Sequence, residues 1–398
     1  MENLDRGVAI VGAGYAGMAA AVTLAERGIP VTVLESGPVP GGRARRVVSQ
    51  GRELDNGQHI FVGAYTEFLR LLRVVGVPPT ALLRLPLELR YTNGVVFRGL
   101  LRARRVPFRE RVRAFAFMAA MRRFGWRLVR DITVRELLER FEQHGAMLRY
   151  VWTPLCVSAL NTPIEHASAN VFLVVLRETL GGAAGASDLL LPRLDLSRLF
   201  PEPAAEFVSA HGGRVLCGQT VRELAALKEF SRIIVAVGPH QLKTLLPEIS
   251  VEYTYQPIYT CYLQYPQFTR LGHPMVGMAE GHVQWVFDRG ALLGEKGCLV
   301  CVISAQGEHQ ELNQDQVART CDDELRHAFP GLPDPLWSRV IAEKRATISC
   351  TPGLKPPATT GVVLAGDYTD AEYPPTIEAA VRSGVRAARR VLQPAKAD

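Results

Sequence analysis

The run Val8-Ala9-Ile10-Val11-Gly12-Ala13-Gly14-Tyr15-Ala16-Gly17 is four apolar residues followed by the pattern Gly-x-Gly-x-x-Gly. The apolar run reads as a strand, Met18–Glu26 as a helix ending near Gly28, and Val31–Leu34 as a second strand. In such a βαβ unit each glycine has its own task. Gly12 permits the tight turn, Gly14 lets the backbone approach a pyrophosphate, and Gly17 lets helix and strand pack closely. Ala13, Tyr15 and Ala16 complete the loop, and the free N–H groups at the helix start present partial positive charge to phosphates. Glu35 stands eighteen residues after Gly17, at the end of the second strand. A carboxylate there accepts hydrogen bonds from adenosine ribose hydroxyls.

NAD and FAD share this fingerprint, and the residues that follow favour FAD. Gly41-Gly42-Arg43 comes soon after Glu35, so exposed backbone N–H groups and a guanidinium are available to phosphate. Near the C-terminus Gly366-Asp367 follows an apolar strand, where Asp367 could bind the ribityl chain or, more plainly, cap a turn. The helix entered through Thr376 and Ile377 could aim its positive end at the flavin pyrimidine. A second Gly-x-Gly-x-x-Gly does not occur, which leaves no separate nicotinamide domain.

Outward from these motifs the chain alternates in character. Arg214–Cys217, Arg232–Val237 and Val362–Ala365 read as further strands, and about Thr376 to Leu392 as a helix. Residues 100–180 are helical in composition, and 250–345 are strand-rich. Gly181–Ser187 reads as a flexible loop. The expected fold class is α/β, a Rossmann-type FAD-binding domain with an inserted mixed α+β substrate domain. The FAD domain is assigned to 1–75, 205–248 and 346–398, and the substrate domain to 76–204 and 249–345.

At 398 residues, 47% hydrophobic and 21% charged, the chain has ordinary globular composition, which excludes a disordered or collagen-like protein. Its net charge of +7 is unevenly placed. Residues 98–130 hold eleven arginines against one acid, Glu110, for a local +10, so the remainder sums to −3. The seven cysteines are odd in number and scattered, which fits a reducing compartment better than a disulfide framework. Cys298 and Cys301 lie in a strand-like run, where positions three apart point to opposite faces, so they read as core residues. The histidines have no metal-ligand spacing, and no metal is expected. The N-terminus lacks a basic n-region, and no apolar run is long enough to span a bilayer. A cytoplasmic protein, peripheral to the inner membrane, is the expectation.

Gly12–Gly17, Glu35, Gly41-Gly42-Arg43 and Leu364-Ala365-Gly366-Asp367 resemble the FAD-dependent amine oxidase and carotenoid desaturase superfamily. Further segments make the chain similar to one family within it, the hydroxysqualene dehydroxylases. These are Leu54-Asp55-Asn56-Gly57-Gln58-His59, Trp152-Thr153-Pro154-Leu155-Cys156, Ala159-Leu160-Asn161-Thr162-Pro163, Ser187–Pro192, Gln284–Arg289 and Pro374-Pro375-Thr376-Ile377-Glu378. The resemblance implies FAD as cofactor, a lipophilic isoprenoid substrate (hydroxysqualene) and an external electron donor. It implies reduction of hydroxysqualene to squalene on the route toward hopanoids, with hydride from reduced flavin N5 replacing an allylic hydroxyl that leaves as water. It also places Gly57, Gln58, His59 and Val221 with the cofactor-binding residues. Hydroxide leaves poorly without a proton, so an acid is required. His59 is the candidate donor, Gln58 would orient the hydroxyl or bond the flavin, and Asp55 would set the local geometry. The alternatives are a carotenoid-type polyprenoid desaturase, an amine oxidase, or a non-catalytic prenyl-lipid binding protein.

The basic block has a reading of its own. If 109–130 is one helix, Phe117, Met121, Phe124 and Leu128 form an apolar stripe, with Arg123, Arg127 and Arg130 on an adjacent face. Such a helix could dock on anionic phospholipid, or it could be an ordinary core helix with solvated arginines. No recognition motif accompanies the patch, so a nucleic-acid partner is not expected.

Overall fold

The computed structural model describes residues 6–100, 102–249, 251–358 and 361–393. Val8–Val11 is the central strand of a five-stranded, fully parallel sheet. Across that sheet the order is Arg214–Cys217, Val31–Glu35, Val8–Val11, Arg232–Val235 and Val363–Leu364. The three inner strands are nearly continuous apolar runs, as strands covered on both faces must be.

The helix after the glycine turn spans Tyr15–Ala25, three residues earlier than the sequence reading placed it. Every one of its residues is buried, because it is alanine-rich and apolar all round. It packs against the C-terminal helix Ile377–Val391 and the helix Pro201–Ala210. Two glycines make the turn possible. Gly12 has φ +103°, and a Cβ there would lie 2.6 Å from the Ala236 carbonyl oxygen. A Cβ on Gly17 would lie 1.9 Å from the Gly12 carbonyl oxygen, so only glycine admits this approach.

A second sheet is antiparallel, in the order Met275–Gly277, Trp285–Asp288, Cys298–Ser304, Tyr255–Gln264 and Trp337–Ile348. Its strands alternate strictly. Cys298, Val300 and Val302 join one core with Trp285 and Phe287. Leu299, Cys301 and Ile303 join another, covered by the helix Gln314–Ala328. Cys298 and Cys301 therefore face opposite sides, in keeping with the strand reading, and all seven cysteines are free.

One face of the antiparallel sheet shares its core with a helical layer that includes Phe108–Arg123, Val134–Arg140, Thr153–Leu160 and Ala169–Glu178. The first of these corrects the expected helix over 109–130. It ends at Arg123, because Gly125 (φ +66°) and Trp126 (φ +59°) are both left-handed. Its buried stripe is Ala114, Phe117 and Met121, in contact with the core. Phe124 and Leu128 lie beyond the helix, and Arg123, Arg127 and Arg130 share no helical face. No helix among the described residues is long and apolar enough to cross a membrane.

Candidate active site

A cavity of about 950 Å³ runs from the glycine turn into the antiparallel sheet. One wall is backbone: Gly12, Gly14, Gly37, Gly41 and Gly42, with the Glu35 side chain and Val221 beside them. Gly14 and Gly41 form an isolated bridge, and a Cβ on Gly42 would come within 3.1 Å of the Gly14 Cα. The Glu35 carboxylate is already oriented, accepting the Ala13 and Gly37 N–H groups at 2.7 Å each. The helix beginning at Tyr15 has no side-chain cap, so its first N–H groups remain available to an anion. Tyr15 and Ala16 line the cavity as well, while Ala13 and Gly17 shape the turn from behind.

The middle of the cavity is polar. Arg43 Nη2 donates to both oxygens of Asp367, at 2.8 and 2.9 Å, and Nη1 donates to the Ala346 carbonyl. The guanidinium expected to reach phosphate is thus held by the carboxylate expected to bind ribityl. Thr376 caps the C-terminal helix, accepting the Ala379 N–H, and Thr376, Ile377 and Ala380 turn that helix's N-terminus toward the cavity.

Gly57, Gln58 and His59 line the cavity, but Asp55 does not. The Asp55 carboxylate takes the Leu196 N–H at 2.8 Å and pairs with Arg289 at 3.2 Å. Arg289 is only 2% exposed and is held on its other side by Glu295. Asp55 is therefore a buried strut behind the site and touches nothing in it. His59 Nδ1 lies 3.1 Å from the Gly57 carbonyl oxygen, an acceptor only, so Nδ1 carries the proton and Nε2 is left as an acceptor. Burial pushes the His59 pKa down; the Gly57 hydrogen bond opposes this and the charge of Arg43 adds to it. A neutral imidazole is the reverse of the proton donor that the sequence pointed to.

One polar group escaped the sequence reading. Tyr373 donates to Glu178 Oε2 at 2.8 Å, Arg382 approaches the same carboxylate at 3.4 Å, and its guanidinium stacks 4.4 Å over the Tyr373 ring. Tyr373 and Glu178 both line the cavity. Burial pushes the Tyr373 pKa well up, so the phenol keeps its proton. The remaining wall is apolar, with Leu87, Leu89, Leu155, Met275, Trp285 and Phe287.

The residues fit a bound dinucleotide. Gln58 Oε1 and the Tyr368 hydroxyl are buried at the cavity without a hydrogen-bond partner, a state that a polar ligand would relieve. A crossover-connected parallel sheet with a glycine turn, an ordered acidic residue and a second helix N-terminus is the architecture of a dinucleotide-dependent oxidoreductase. The comparisons with known proteins narrow this. The model of the flavin containing amine oxidoreductases matches residues 15–392, and the chain belongs to that family. It is 27% identical to the hydroxysqualene dehydroxylase of Zymomonas mobilis subsp. mobilis, over 96% of this chain and 98% of that one. It is 28% identical to the hydroxysqualene dehydroxylase of Sinorhizobium fredii, over 98% and 99%. Among solved structures, wild-type putrescine oxidase bound to putrescine superposes with a TM-score of 0.72 at 17% identity, over 97% of this chain and 98% of that one. The protein is an FAD-dependent oxidoreductase with an α/β fold.

Proposed function

We propose that the enzyme reduces hydroxysqualene to squalene, in isoprenoid metabolism leading toward hopanoids. The observation that carries this reading is one continuous cavity, in which a dinucleotide wall continues into an apolar wall suited to a C30 chain. The full-length similarity to hydroxysqualene dehydroxylases supports it. In this reading the FAD domain comprises 1–75, 205–248 and 346–398. The glycine turn holds the pyrophosphate, Glu35 the ribose, and Asp367, Thr376 and Ile377 the flavin end. The flavin, when bound and reduced, supplies the hydride that replaces the hydroxyl.

The chain's own residues provide the rest. Leu87, Leu89, Leu155, Met275, Trp285 and Phe287 exclude water from an electron-deficient allylic carbon. Tyr373 and Glu178 offer a phenol and a carboxylate to the substrate hydroxyl, and Arg382 lies 3.4 Å from the Glu178 carboxylate. Gln58 Oε1 accepts from a bound N–H or O–H. An external donor reduces the flavin, and the protein works in the cytoplasm, peripheral to an anionic inner-membrane surface.

The test is anaerobic incubation of photoreduced enzyme with hydroxysqualene. Squalene should form as the flavin reoxidises. No squalene and no reoxidation would overturn the assignment.

A further inference from the structure

The helix Phe108–Arg123 carries a second apolar stripe, opposite the buried one. Phe108, Val112 and Phe115 are 69%, 51% and 59% exposed. At i, i+4 and i+7 they fall within about 60° of arc on the face away from Ala114, Phe117 and Met121. Phe124 and Val129, just beyond the helix, are also exposed. Five of the nine large exposed hydrophobics among the described residues thus lie within one short segment. Isolated exposed apolar residues need no explanation, but a cluster does.

Charge surrounds this cluster. Helical geometry sets Arg111 and Arg122 on one flank of the stripe, and Arg109 and Arg123 on the other. Among the described residues Arg109, Arg122, Arg123 and Arg130 have no acidic partner, whereas Arg113 pairs with Glu142 and Arg127 with Glu372. An apolar ridge flanked by arginines matches a surface of phosphate groups over hydrocarbon. A protein partner of ordinary composition would leave these cations desolvated and unpaired.

The segment also leads to the cavity. Trp126 packs so closely on Gly181 that a Cβ there would lie 2.9 Å from its ring, and the neighbouring Leu180 lines the cavity. Arg127 pairs at 3.0 Å with Glu372, next to the cavity-lining Tyr373.

Resting on the reading that the substrate is a membrane-dissolved isoprenoid, we propose that the face made by Phe108, Val112, Phe115, Phe124 and Val129 docks on an anionic phospholipid surface. The aromatic side chains enter the headgroup boundary, and the flanking arginines meet lipid phosphates. The Phe124–Arg130 segment then sets the cavity edge against the bilayer. This differs from the stripe suggested by the sequence, whose Phe117 and Met121 are core residues.

The test uses FAD-loaded protein and sedimentable vesicles of phosphatidylcholine, with or without phosphatidylglycerol, at low and high salt. Three variants are compared: Phe108→Ser with Phe115→Ser, Arg122→Gln with Arg123→Gln, and Phe268→Ser as a control at an exposed phenylalanine outside the segment. The flavin spectrum and Tm report folding. Wild type should bind the anionic vesicles roughly tenfold more tightly than neutral ones and weaken with salt. Both double variants should lose roughly tenfold, and the control should not. Equal binding to both vesicle types, or double variants that bind like wild type, would overturn the proposal. So would a dimer, seen by sedimentation equilibrium, that the phenylalanine variant dissociates without changing vesicle binding. Turnover of detergent-dispersed hydroxysqualene is a separate readout. Vesicle binding without squalene formation defeats only the substrate assignment, and squalene formation without vesicle binding defeats only the docking face.

Discussion

Arg43 and Asp367, 324 residues apart in the chain, meet across the cavity in a fork in which one guanidinium nitrogen donates to both carboxylate oxygens. The contact ties the loop after the second strand of the parallel sheet to the turn after its last strand. Arg43 is 39% exposed while Asp367 is buried, so the pair is partly solvated and contributes on the order of 1 kcal/mol to stability. In the proposed FAD site its larger role would be to hold both groups against the cofactor. Asp367→Asn should lower Tm only slightly yet weaken FAD binding by roughly tenfold. Fluorescence titration of the apoprotein measures this, and an unchanged Kd would remove Asp367 from the FAD site.

Asp55 should behave in the opposite way. Its carboxylate is the partner of an arginine that has almost no contact with water. Asp55→Ala leaves Arg289 with Glu295 alone and leaves the Leu196 N–H unpaired, a loss of about 3 kcal/mol. Because Asp55 lies outside the cavity, kcat per bound flavin should stay within about twofold of wild type. Denaturant unfolding together with turnover normalised to flavin content checks both halves. A large fall in kcat with unchanged stability would return Asp55 to the catalytic set.

These two contrasts show what was readable from sequence. The glycine turn, Glu35 and the strand and helix around Gly366 and Thr376 are local patterns. Each is fixed largely by hydrogen bonds and close approaches within a few tens of residues, although Gly12 also answers to the distant Ala236 carbonyl. The pairs Arg43–Asp367, Asp55–Arg289 and Glu178–Tyr373 are long-range, and nothing in the composition around one partner names the other. The Ala159–Pro163 segment carried part of the family resemblance, yet its physical task is structural. Asn161, at φ +45°, clamps a helix end to the antiparallel sheet through the carbonyls of Gln256 and Pro257 and the N–H of Ala305. The basic helix carries two apolar stripes of similar character, and only the packing of Ala114, Phe117 and Met121 against the core shows which one is covered.

His59 predicts a pH dependence. Its pKa in the folded protein lies below the ordinary 6.5, chiefly because burial penalises the cation. The unfolded chain therefore binds more protons than the folded one as pH falls below 6.5. Stability is lost in that window, until pH passes the folded-state value. His59→Gln removes this term, so its Tm should fall less between neutral pH and pH of about 5 than that of wild type. Scanning calorimetry across that range is the measurement. The same variant should keep the acid limb of the kcat profile, since a neutral imidazole that offers only Nε2 as an acceptor does not supply the proton.

In the proposed reaction the Tyr373–Glu178 pair would hold the substrate hydroxyl. A hydrocarbon with one hydroxyl gains specificity only where a buried donor and acceptor match it, and these two groups stand side by side on the cavity wall. Tyr373→Phe keeps the ring under the Arg382 guanidinium but removes the O–H, leaving the Glu178 carboxylate with Arg382 and Arg177. FAD content should be unchanged, because neither group belongs to the dinucleotide wall. The rate of squalene formation should drop by roughly a hundredfold if the phenol assists departure of the hydroxyl, the usual scale for one general acid. Glu178→Gln should lower the rate in the same direction while preserving the shape of the pocket. The discriminating readout is single-turnover flavin reoxidation under anaerobic conditions. If Tyr373→Phe slows substrate binding but not reoxidation, the pair orients the hydroxyl; if reoxidation itself slows, the pair acts on the bond that breaks. If neither step changes, the hydroxyl is held elsewhere in the cavity.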